Sequence, residues 1–200
     1  MQRFQRICGA LLAAAVLVTM PLSGSAKDAD RLKSTDLGSG MKIDLPTDWR
    51  LDGMVNIATN LPDLRKLGIK AYEWRADTGT MRIGISYIMF PGSGAQREAD
   101  LDGTRRKDLL VKGTEQYLPR ARETAVDATV FANGSVTGAY ATLHAKEGDG
   151  FPVFMGRSYK CVTVANAFRG DGLLSISVGS ADCDSAEHRT AVAAIVALHE

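Results

Sequence analysis

The chain lacks most of the features by which functional classes announce themselves. Neither sign of charge is in excess, with 24 Lys and Arg against 23 Asp and Glu. Nucleic acid and anionic membrane surfaces call for a basic field, so neither is expected as the main partner. There are three histidines and three cysteines in all. Without a His-x-x-x-His or Cys-x-x-Cys spacing among them, no zinc signal arises and no metal or cofactor is expected. Gly92-Ser93-Gly94 is not followed by the Lys and Ser or Thr that complete a phosphate loop. Internal repeats and low-complexity tracts are missing, and beyond the N-terminus no apolar run approaches the roughly 18 residues of a spanning helix.

What is present begins with an export signal. Arg3 and Arg6 precede an apolar run from Ile7 to Val18, and Ser23-Gly24-Ser25-Ala26 offers small residues for cleavage before Lys27. Residues 1–26 therefore read as a signal peptide, residues 27–40 as a polar, Gly/Ser-ended flexible leader, and residues 41–200 as one domain. The expected address is the periplasm, with no transmembrane anchor after cleavage. Removal of Arg3 and Arg6 leaves 22 basic against 23 acidic residues. Cys8 leaves with the signal, so Cys161 and Cys183 remain as an even pair in an oxidising compartment, and a disulfide is expected. With the last hairpin centred on Gly170, Cys161 faces Gly179, and a bridge to Cys183 requires the chain to fold back at Ala181-Asp182.

Periodicity predicts an α+β domain, an antiparallel sheet with helices packed on it. Strands are expected at Met41–Leu45, Ile69–Arg75 and Thr80–Phe90, with a loop or a single helical turn over Asn60–Gly68 and a stop at Pro91. A charged helix follows from Glu98 to Leu118, weakened by Gly103 and Gly113. Val126–Ala132 and Val136–Lys146 flank Asn133-Gly134, a hairpin signal. Strands Val153–Phe168 and Leu173–Gly179 follow, the first matching Val162 and Val164 to the face of Leu174, Ile176 and Val178. Asp184 to Glu187 resembles a capping box that opens a helix with Val192, Ile195, Val196 and Leu198 inward.

Each chemical candidate has a bland reading beside it. Ser39-Gly40-Met41-Lys42 spells Ser-x-x-Lys, but it runs from the leader into a strand and lacks its companion motifs. His144 alternates with Leu143 and Ala145 and is expected to face solvent; His188 and His199 lie eleven residues apart in the terminal helix. Spacing leaves open a Cys-His nucleophile using Cys161 or Cys183. Asp100-Leu101-Asp102-Gly103 has Val111 where a calcium loop needs its acidic twelfth residue. Arg169-Gly170-Asp171 at a hairpin tip and the basic Arg105-Arg106-Lys107 run read as turn and solvated helix face. Tyr72 and Trp74 share a strand face with Lys70. They either cover the core, the favoured reading, or form a partner surface.

Leu45-Pro46-Thr47-Asp48-Trp49 is similar to the hydrophobic-Pro-x-x-Trp start of the PsbP-like and DcrB-like exported proteins. The ending resembles theirs too: a long strand, Gly170 to Ser177, then a helix carrying Ala194-Ile195-Val196. The resemblance spans nearly the whole mature chain and implies a PsbP/DcrB-like α/β/α sandwich used for binding and assembly, with no catalytic signature. The expected function is thus non-catalytic periplasmic binding, assembly or envelope maintenance, the partner another periplasmic or envelope protein. The alternatives are an immunity or adaptor protein that neutralises a secreted toxin, and a small Cys- or Ser-dependent hydrolase.

Overall fold

A computed structural model describes residues 32–56, 69–89, 102–154 and 157–200. The expected signal peptide, the start of the leader, the loop before Ile69, the Pro91 stop and the helix start at Glu98 lie outside the described residues.

Eleven strands are described: β1 (Leu32–Gly38), β2 (Met41–Pro46), β3 (Asp52–Asn56), β4 (Lys70–Asp77), β5 (Met81–Met89), β6 (Thr129–Asn133), β7 (Val136–His144), β8 (Phe151–Phe154), β9 (Arg157–Tyr159), β10 (Cys161–Arg169) and β11 (Gly172–Ser180). Helix α1 spans Gly103–Thr114 and runs into a 3-10 turn over Glu115–Arg120; α2 spans Ala186–Val196. Seven strands form one sheet in the order β3-β4-β5-β11-β10-β7-β6, and every pairing in it is antiparallel. The α+β expectation therefore holds.

One sheet face carries the main core. Trp74, Ile83, Ile85, Ile176 and Val178 meet Met41, Ile43 and Leu45 of β2 and Ala191, Ile195 and Leu198 at the C-terminus. On the other face Leu110 of α1 packs on Ala139 and Ala141, and Phe151 and Ala121 cover Leu143 and Val162.

Residues 32–40, expected to end a flexible leader, instead make β1 and its turn into β2. Their polarity misleads because Leu37 is the one buried side chain of β1; pairing with β2 holds the strand. The turn needs glycine: Gly38 has φ +103°, and a Cβ there would lie 2.8 Å from the Tyr87 ring. The long strand expected from Val153 to Phe168 is broken into β8, β9 and β10, because β7 and β11 offer partners only to residues 161–169. The β10–β11 register also differs by one residue: Cys161 faces Ser180, and Val162 faces Gly179. Val162 and Val164 thus lie on the sheet face opposite Ile176, since a one-residue slip inverts every side chain. Both faces of β10 are largely buried, so its periodicity carries no sign of which valines face which layer. The hairpin at Asn133 forms as expected, with Asn133 opposite Val136.

Candidate functional site

The registers of β7, β10 and β11 assemble a polar island at one end of an otherwise apolar face. Cys161 lies between His144 and Ser180, and Thr163 lies between Thr142 and Val178. Facing residues point the same way, so Cys161, Thr163, Thr142, Ser180 and His144 share one face. The chain then turns back through 181–184, and Cys183 meets Cys161 in a disulfide with Cα atoms 5.2 Å apart. The turn feeds α2, whose N-cap is Ser185 rather than Asp184: its Oγ accepts the backbone N–H of His188 at 3.2 Å. That cap fixes the first turn of α2 and lowers the His188 ring onto the island.

His188 is 2% exposed, and its hydrogen bonds fix its tautomer. Ser180 Oγ donates to the Asp182 carbonyl at 2.9 Å, so it accepts from His188 Nδ1–H at 2.8 Å. The bare Nε2 then accepts the Thr163 hydroxyl at 2.8 Å, and Thr142 donates to Thr163 at 2.6 Å. Cys161 Sγ lies 3.4 Å from the same Nε2. Burial, reinforced by the neighbouring His144 and opposed by Asp182, pushes the imidazole down to about 4, so it is neutral near pH 7. No buried side-chain nitrogen or oxygen of the island lacks a partner, as burial demands.

Two clefts meet at its edge. A shallow groove of about 510 Å³ runs between α2 and β7, lined by Tyr140, Thr142, His188, Val192, Ala193 and Val196. A second hollow of about 390 Å³ lies beside Lys146, Lys160 and Asp182. His144, Cys183 and Asp184 border both. His144 does not face solvent freely: Nδ1 is 2.7 Å from Glu123 Oε1, and its backbone N–H donates to the same carboxylate. Burial disfavours ionised Glu123, but these hydrogen bonds outweigh it and hold its carboxyl below the ordinary range.

The other sequence candidates fall elsewhere. Trp74 is buried and Tyr72, stacked on Tyr87 at 6.2 Å between ring centroids, packs against the main core. Lys70 is exposed, so the three do not make a shared exposed patch and the core reading prevails. Trp74 does edge a cleft of about 680 Å³ with Asp36, Trp49 and Arg50. Ser39 occupies the β1–β2 turn against the Tyr87 hydroxyl, apart from the island. Lys42 pairs through its backbone with His199, beyond the end of α2. Arg169 is a clamp rather than a displayed tip: it donates to Ser135 Oγ at 2.8 Å, to the Ser39 carbonyl, and to Glu200 at 3.1 Å. Asp102 caps α1, its side chain accepting the Arg105 backbone N–H; Asp100 and Leu101 lie outside the described residues.

Sequence reasoning missed His188, Thr163, Thr142, Ser180 and Glu123 as a group. The available signal was the i, i+2 pairing of Cys161 with Thr163 and of Thr142 with His144. Comparison of the chain with protein-family models, with curated proteins and with solved structures finds no match. Among the described residues, no helix is long and apolar enough to cross a membrane.

Proposed function

We propose that this is an exported, non-catalytic binding protein of the periplasm, and that the groove between α2 and β7 takes an apolar segment of an envelope protein. The observation that carries the reading is the pairing of a spent polar island with an open apolar wall. The island's sulfurs are tied to each other and its imidazole and hydroxyls are bonded internally, which leaves Val192, Ala193 and Val196 of α2 as the groove's apolar wall, with Asp184 and Arg189 at its polar end. Small-molecule sites enclose most of their ligand's surface; a shallow, open groove suits a chain segment instead. Export is supported by the disulfide and by the N-terminal pattern of charge, apolar run and small residues. A helix on each sheet face, α1 on one and α2 on the other, supports the PsbP-like/DcrB-like sandwich as the finer fold reading.

The test is in vivo photo-crosslinking. A photoreactive residue replacing Ala193, exposed in the groove, is expected to capture one envelope protein, and the same residue at Lys33, beside the Trp49 cleft, is not. Capture from Lys33 alone would move the site to that cleft. Labelling of the native protein by a serine- or cysteine-directed hydrolase probe would overturn the non-catalytic reading.

A further inference from the structure

Three metal-ligating atoms converge at the base of α2. The Sγ atoms of Cys161 and Cys183 and one ring nitrogen of His188 all lie within 4.8 Å of one another. We propose that, once the bridge is reduced, Cys161, Cys183 and His188 form a site for one thiophilic divalent cation, zinc foremost, with a fourth position open to water.

Two thiolates and one imidazole are a donor set that zinc takes where it keeps an open position. Zn–S and Zn–N bonds of about 2.3 and 2.0–2.1 Å at a tetrahedral angle hold sulfur and nitrogen roughly 3.5 Å apart. Cys161 Sγ and His188 Nε2 are already 3.4 Å apart. The ring nitrogen aimed at the sulfur is the bare one, because Nδ1–H is held by Ser180, itself anchored on the Asp182 carbonyl. Such outer partners orient a ligating histidine and set its tautomer. Metal binding displaces the Thr163 hydroxyl from Nε2, and Thr163 then donates to Thr142 instead, since either hydroxyl can be the donor of their 2.6 Å bond. The two thiolates cancel the ion's charge, so a site walled by buried Cys161 and His188 takes on no net charge. Cys183 is the moving ligand. It lies in the turn before α2 rather than in a strand, is partly exposed, and borders both clefts.

The redox step balances with an external dithiol as reductant. Its two sulfurs join in a disulfide, its two electrons break the Cys161–Cys183 bond, and its two protons pass to the freed sulfurs. Zinc then replaces those two protons, which leave to solvent as the Zn–S bonds form. Bridge and metal site are alternative states of the same two sulfurs.

Purified protein with its bridge intact or opened by a phosphine, titrated with zinc against a chromophoric chelator, tests this. Reduced protein is expected to bind one zinc per chain and the bridged form none. Cobalt is expected to give the intense visible bands of a tetrahedral thiolate site. His188→Ala should abolish tight binding, Ser180→Ala should weaken it about tenfold, and His199→Ala should leave it unchanged. Failure of the reduced protein to take up stoichiometric zinc, or equal binding by His188→Ala, overturns the site. If reduction alone unfolds the chain, recovery of the circular dichroism spectrum on one equivalent of zinc supports the site, and no recovery overturns it.

Discussion

On the face covered by β2 and α2, the sheet is apolar at one end and polar at the other, and the two ends are held by different physics. At the apolar end Ile85, Leu174 and Ile176 are each fully buried. Each contributes on the order of 1.5–3 kcal/mol by leaving water, at any pH and in any redox state. At the polar end Cys161, Thr163, Ser180 and His188 are equally buried, but their hydrogen bonds return a net ~1 kcal/mol apiece. That end depends on a covalent bridge and on an imidazole kept neutral. The same sheet thus has one end indifferent to chemical conditions and one end that answers to them.

That contrast can be broken at either end. Ile176→Ala is expected to have the largest effect, a loss of about 4 kcal/mol from the cavity it leaves. Urea unfolding should give the same loss at pH 7 and at pH 5, with or without reductant. Opening the bridge, which joins residues 22 apart in sequence, should cost about 3 kcal/mol through the freedom returned to the unfolded chain. Cys161→Ser should show that loss under oxidising conditions only, and it should add to Ile176→Ala because the two sites share no partners.

Acid gives an effect of comparable size and definite sign. The unfolded chain protonates His188 near its ordinary value of 6.5, and the folded chain does so only near 4. Between those values the unfolded state binds more protons, so stability is full above pH 6.5 and declines as pH falls toward 4, by roughly 3 kcal/mol. His188→Gln, which cannot titrate there, should flatten the decline. A steep decline that survives in His188→Gln would place the acid-sensitive element elsewhere.

The sheet was legible in sequence wherever one face was wet. β2 alternates cleanly between buried and half-buried positions, and in β5 Met81, Ile83, Ile85 and Tyr87 fall on one buried face as their spacing predicts. The register of β10 on β11 was not, since β10 is buried on both sides and its valines fit either layer. β1 was hidden by its polarity, with Leu37 its lone buried side chain. The cysteine pair was readable from parity and compartment, and the fold-back it required occurs at 181–184. The rest of the island was not readable. His188 belongs to it because a capped helix brings it back across 27 residues to Cys161, and Glu123 reaches His144 across 21. Sequence spacing records neither crossing.

The claim that the polar end is a closed, neutral network rests on the proton at His188 Nδ1. Nitrogen-15 NMR of the imidazole across a pH titration reads both its position and its loss of neutrality. The account predicts the Nδ1–H tautomer, with Nε2 unprotonated at pH 7, and a titration midpoint near 4. An Nε2–H tautomer, or a midpoint at the ordinary 6.5 of an unburied histidine, would contradict it.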